Sequence, residues 1–86
     1  MIVHVGSILH SYTGGASRVE GAGSTVGAVL DDLERRFPGI RFRIVDEQDA
    51  IRPHVRVFVG TAAARDLSAK VGKEDEVHIL AALSGG

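Results

Sequence analysis

The sequence predicts an α+β domain, with one amphipathic helix laid across a mixed sheet, and three observations carry that prediction. A single apolar stripe at helical spacing lies between residues 26 and 37, short runs of period two stand on both sides of it, and glycine-containing turn signals separate them. Residues 2 to 9 read as the first strand, with Val3 and Val5 on one face and His4 between them. Thr13-Gly14-Gly15 turns the chain. Ala16 to Glu20, anchored by Ala16 and Val19, then returns antiparallel to complete a hairpin.

The helix follows. Val26, Val29, Leu30, Leu33 and Phe37 recur at i, i+3, i+4, i+7 and i+11, while Asp31, Asp32, Glu34, Arg35 and Arg36 take the wet side. Ser24 or Thr25 supplies the capping oxygen for the first free N–H groups. Phe37 precedes Pro38-Gly39, which disfavours helical geometry and ends the element. Ile40, Phe42 and Ile44 alternate with Arg41 and Arg43, which predicts a half-buried strand, and the polar stretch from Asp46 to Pro53 reads as a surface loop. Val55, Val57 and Val59 alternate with Arg56 and Phe58 in another strand that ends at Gly60-Thr61. Residues 61 to 73 are small and polar, with Leu67 and Val71 as anchors. The last strand runs from Glu76 to Leu83, with Val77 and Ile79 alternating with His78 and Leu80.

This order places Val3, Val5, Val29, Leu30, Leu33, Phe37, Val57, Val59, Val77 and Ile79 in a shared core. A hairpin, a crossing helix and later strands returning beside the first make the β-grasp arrangement, that of ubiquitin. A ferredoxin-like sandwich would need a second helix. The predicted organisation is a single β-grasp domain over residues 1–83 and a Gly-Gly tail over 84–86.

Composition removes several functions. The chain has 86 residues, 44% of them hydrophobic, and ten basic against eleven acidic side chains leave a net charge of −1. Such a balance provides no field to draw nucleic acid or an anionic membrane. No cysteine is present, which excludes a disulfide, a thiolate zinc site, an iron–sulfur cluster and a cysteine nucleophile. The opening MIVHVGSILHS has no basic stretch leading an apolar core, so no signal peptide is expected. No run approaches the roughly 20 apolar residues of a membrane helix. A cytoplasmic location is the expectation.

Catalytic signals are sparse. His4, His10, His54 and His78 form no HxxxH or HExxH pair. Adjacent first and last strands would bring His4 near His78 on the open face, but two imidazoles without a third ligand make a poor metal site, and partly exposed strand histidines are the simpler reading. No serine stands in a GxSxG context. Gly21-Ala22-Gly23-Ser24 lacks the lysine and spacing of a phosphate loop and reads as a strand-to-helix turn. Arg41, Arg43, Arg52 and Arg56 gather near two strands, as a solvated polar face or, second, a basic patch for an acidic partner.

Two features point elsewhere. The sequence ends Ser84-Gly85-Gly86 after an apolar strand, and two glycines without side chains can enter a narrow channel and leave an acyl carbon open to attack. Alone, the dipeptide reads equally well as a flexible end. If the valines of the flanking strands face the helix, Phe58 and Leu80 face away, as a docking surface or as ordinary scattered surface hydrophobes.

Leu9 to Gly15 (LHSYTGG), Thr25 to Phe37 (TVGAVLDDLERRF), Arg52 to Val59 (RPHVRVFV) and Asp75 to Gly86 (DEVHILAALSGG) together resemble the MoaD/ThiS sulfur-carrier proteins over essentially the whole chain. Both CysO-type and MoaD-type carriers are similar. The resemblance implies a carrier rather than an enzyme, at most a small subunit of a synthase such as molybdopterin synthase. It implies that an E1-like, MoeB/ThiF-type enzyme adenylates the Gly86 carboxylate and that a sulfur donor converts it to a thiocarboxylate. That group then donates sulfur in molybdopterin, thiamine or cysteine biosynthesis. Ser84 and Gly85 form the thin tail, while Phe58 and Leu80 dock the activating enzyme and the sulfur-accepting synthase or large subunit. No cofactor or metal is implied for this chain, since ATP and magnesium belong to the activating enzyme. Two other classes stay open: a ubiquitin-like modifier conjugated to lysines through Gly86, and a β-grasp binding module that is never activated.

The sequence departs from the family at two turns. Gly60-Thr61-Ala62-Ala63-Ala64 replaces the usual Asn-Gly with acidic residues, and Lys73-Glu74-Asp75 stands where Asp-Gly-Asp is common. An altered turn is predicted at Glu74.

Overall fold

The computed structural model describes residues 1–81; the predicted tail at Ser84, Gly85 and Gly86 lies outside the described residues, as do Ala82 and Leu83, to which the last strand was expected to run. In chain order the elements are β1 (Ile2–Val5), a 3₁₀ turn (Ser7–Leu9), β2 (Arg18–Glu20), α1 (Val26–Arg36), α2 (Ile40–Ile44), β3 (Val55–Val59), β4 (Ala62–Ala63) and β5 (Val77–Ala81). The five strands form one mixed sheet in the order β2-β1-β5-β3-β4. β1 and β5 pair in parallel, and every other pair is antiparallel. A parallel pair cannot be closed by a hairpin, and here the chain between the two strands includes α1. This is the β-grasp architecture.

Period two sorts the strands. Val3 and Val5 of β1, Val55 and Val57 of β3, and Val77 and Ile79 of β5 are buried together with Val26, Val29, Leu30 and Leu33 of α1. Val59 and Phe37, both expected inside, pack against this core from its edge. Leu9, Ile40, Ile44, Val45 and Val71 complete it.

Helix α1 begins where the sequence places it. Thr25 is extended (φ −139°, ψ 163°), and its Oγ1 accepts the Ala28 N–H at 3.1 Å, so Thr25 rather than Ser24 is the cap. At the other end Gly39 adopts φ 96°, a left-handed conformation that costs other residues more.

Three expectations require correction. The segment predicted as a strand over Ile40, Phe42 and Ile44 is the short helix α2. Ile40 and Ile44 stand at i and i+4, so one helical turn buries both, while Phe42 points outward at 55% exposure. Five residues satisfy either period, and the choice is made by Glu34, whose carboxylate accepts the N–H groups of Gly39 and Arg41, each at 2.9 Å. One acidic side chain of α1 thus caps the helix that follows. The first strand, expected to reach Leu9, stops at Val5, because Gly6 leads into a 3₁₀ turn that tucks Leu9 into the core. Finally, Ala62–Ala63 is a strand where only a loop was expected. Gly60 supplies φ 61° at the first central position of a two-residue hairpin loop, the pattern of a II′ turn.

At the second departure from the family pattern, Asp75 N–H donates to Gly72 O at 3.1 Å and the Asp75 carboxylate accepts the Gly72 N–H at 2.7 Å. Among the described residues Asp49 alone has positive φ without being glycine, so Glu74 turns without entering the left-handed region.

Leu33 is fully buried against the sheet, and Leu33→Ala is expected to lower unfolding free energy by about 2–5 kcal/mol, measured by urea titration. The two backbone N–H bonds hold the Glu34 carboxyl below the ordinary carboxylate range. A depressed folded pKa gives stability that is present above the unfolded value and is lost as pH falls through the folded one. Glu34→Gln should therefore lower stability at neutral pH and flatten its decline in acid below about pH 4, read from unfolding midpoints across that range.

Candidate functional site

The side of the sheet turned away from α1 carries the residues that alternate with the core valines. Register places them in rows. Arg18 of β2 stands opposite His4, His4 opposite His78, His78 opposite Phe58 and Phe58 opposite Ala63, a line that crosses all five strands. One step along β5, Leu80 stands opposite Arg56. Phe58 and Leu80 therefore share this open face as expected and are diagonal neighbours across the antiparallel pair. Leu80 is 47% exposed, whereas Phe58 is half-buried.

Beside Leu80 lies a concavity of about 300 Å³ lined by Pro53, His54, Arg56, Leu80 and Ala81. It sits at Ala81, the last described residue, where the chain sets off toward Ser84, Gly85 and Gly86.

The predicted approach of His4 and His78 is realised. Their rings stack with centroids 4.5 Å apart and planes 6° from parallel. Glu76, not singled out from the sequence, joins them, and its Oε1 pairs with His4 Nε2. It stands two residues before His78, just ahead of β5, and so reaches the same face, but the turn of its carboxylate toward His4 has no counterpart in the sequence pattern. The His4 hydrogen bond, aided by positive charge at His4, His78 and Arg18, holds the Glu76 carboxyl below its usual range.

The other candidates fall to local structure. Arg41 is paired with Asp31 at 2.9 Å and with Asp49 at 3.1 Å. The Arg52 Nε donates to Phe42 O at 2.8 Å while its guanidinium lies 4.6 Å from the Phe42 ring centre. Arg56 Nη1 donates to Pro53 O at 2.8 Å. Arg41 is thus neutralised by carboxylates, whereas Arg52 and Arg56 are held by backbone oxygens and keep their charge at the surface. In the glycine-rich turn, the Ala22 N–H donates to Asp32 Oδ2 at 3.1 Å. That N–H is thus taken by a carboxylate of the protein's own helix. Among the described residues no helix is long and apolar enough to cross a membrane.

Comparison with known proteins agrees with this architecture. The chain is 35% identical to the sulfur carrier protein CysO of Mycobacterium tuberculosis, over 98% of this chain and 96% of that one. It superposes with TM-score 0.91 on a chain in the crystal structure of the Amycolatopsis orientalis BexX/CysO complex, at 36% identity and covering 99% and 98% of the two chains. SAMP1 from Haloferax volcanii matches with TM-score 0.78 and 27% identity, over 100% of this chain and 98% of its own. The model of the ThiS family matches residues 4–86, a span that includes the Gly-Gly pair, and the chain belongs to the ThiS family.

Proposed function

We propose that this chain is a sulfur carrier whose Gly86 carboxylate is activated and loaded by another protein. The observation that carries the reading is the end-to-end likeness to the sulfur carrier CysO, together with a family match that runs through Gly86. The chemistry follows from the reactivity of a carboxylate, whose carbon resists nucleophiles. Attack of a carboxylate oxygen on the α-phosphorus of ATP forms an acyl adenylate and expels pyrophosphate. A sulfur nucleophile then adds to the carbonyl carbon and AMP departs, leaving a thiocarboxylate. The E1-like enzyme supplies the nucleotide site and magnesium, and this chain supplies the acyl group.

Phe58 and Leu80 form the apolar part of the surface that docks the loading enzyme and then the acceptor. The likeness to a chain of the BexX/CysO complex supports a carrier that works bound to partner proteins. Among the acceptors the family resemblance implies, the CysO likeness favours a cysteine precursor over molybdopterin or thiazole. The likeness to SAMP1 supports a second use of the same activated end, transfer to lysine amines.

Incubation with its E1-like enzyme, ATP and a sulfur donor should give pyrophosphate exchange and a mass gain at Gly86 equal to the exchange of oxygen for sulfur. Deleting Gly85 and Gly86 should abolish both. It should leave unfolding free energy within about 0.5 kcal/mol, because no side chain leaves the core. Absence of exchange with a loader proven active on another carrier overturns the proposal, and a ladder of lysine conjugates in cells favours the modifier. Leu80→Asp should weaken binding to the loading enzyme about tenfold or more in titration calorimetry without loss of fold, since a charge replaces an apolar contact.

A further inference from the structure

We propose that His4, Glu76 and His78 form a surface site for a divalent cation of the zinc class. The site is independent of the carrier chemistry and rests on the sheet alone. His4 and His78 are direct partners on the two parallel strands, so the backbone ladder fixes their Cα atoms side by side. Glu76 projects from β5's approach to the same face, one pleat before His78. Each residue offers one ligand atom, and the three atoms all lie within 4.8 Å of one another.

The donor set suits the ion. Two imidazoles and one carboxylate are ligands that zinc accepts in open sites, with a fourth position left for water. Magnesium and calcium, which require oxygen ligands, are poorly served by two ring nitrogens. In a tetrahedral centre with bonds of ~2.0–2.1 Å, neighbouring donors lie about 3.3 Å apart. Separations of up to 4.8 Å must therefore close by at most about 1.5 Å, and the two stacked rings must turn so that their in-plane lone pairs converge, movements within reach of side-chain rotations. The His4 side chain is 29% exposed and that of Glu76 51% exposed, so an ion reaches them directly from water.

Electrostatics make Glu76 decisive. Arg18 stands opposite His4 on β2, and its charge opposes a cation. The carboxylate is the one anionic member of the trio and offsets that charge. It already pairs with His4, so the ion would replace an existing contact rather than order an empty surface.

The test uses the untagged chain titrated with zinc chloride while the histidine ring resonances are followed by NMR. The rings of His4 and His78 should shift together and saturate at one equivalent, with His10 and His54 unmoved and magnesium without effect. His78→Ala and Glu76→Gln should each weaken zinc binding by at least about tenfold, since loss of a ligand costs no less than loss of an outer partner. His4→Gln serves as the second variant if His78→Ala fails to fold. Zinc that leaves both rings unmoved, that shifts all four histidines alike, or that binds the variants as tightly as the parent overturns the proposal.

Discussion

Pairing of β1 with β5 is the constraint on which the molecule is built. These two strands come from opposite ends of the chain, and their parallel register sets Val3 against Val77, His4 against His78 and Val5 against Ile79. Parallel neighbours need a crossover, so the intervening chain must leave the sheet and return. Helix α1 lies on that excursion, and its buried face closes the core beneath the pair. The same register brings two imidazoles into contact above it. It also directs β5 toward Leu80 and Ala81, from which the segment carrying Gly86 departs. Core and open face share one origin.

The helical layer shows how little sequence is needed to redirect a short segment. α1 was legible because its stripe spans three turns and only a helix satisfies it. Residues 40–44 were not, because Ile40 and Ile44 share a face in a strand and in a helix alike. What decides between them is a contact from outside the segment, the Glu34 carboxylate at the backbone N–H groups of Gly39 and Arg41. A side chain assigned only to the wet face of α1 thus sets the conformation of its neighbour. β4 escaped notice for a related reason. Ala62 and Ala63 are poor strand formers, and the pairing with β3 comes from the Gly60 turn rather than from their side chains.

Legibility of the site divides along the same line. The Gly-Gly end was recognisable because it is a local motif at a fixed place in the chain. Phe58 and Leu80 followed from alternation once the valines were assigned inward. The histidine pair needed the strand order, which the β-grasp assignment supplied. Glu76 needed something more. Its role depends on which way a half-exposed carboxylate turns, and no residue spacing in the sequence encodes that direction. For the arginines, read first as a solvated polar face and second as a basic patch, the structure adds the partners: ion pairs for Arg41 and backbone oxygens for Arg52 and Arg56.

The two faces of the sheet make opposite demands on one set of strands. Below, Val3, Val57, Val77 and Ile79 exclude water and hold the domain together. Above, His4, Phe58, His78 and Leu80 stay available for recognition. Because side chains alternate strictly, a slip of one residue that flips β1 or β5 would exchange its two sets and place a histidine in the core. Each buried valine therefore also fixes the position of its outward neighbour. A scaffold of this kind can vary its open face without loss of its core. That freedom suits the carrier role proposed above.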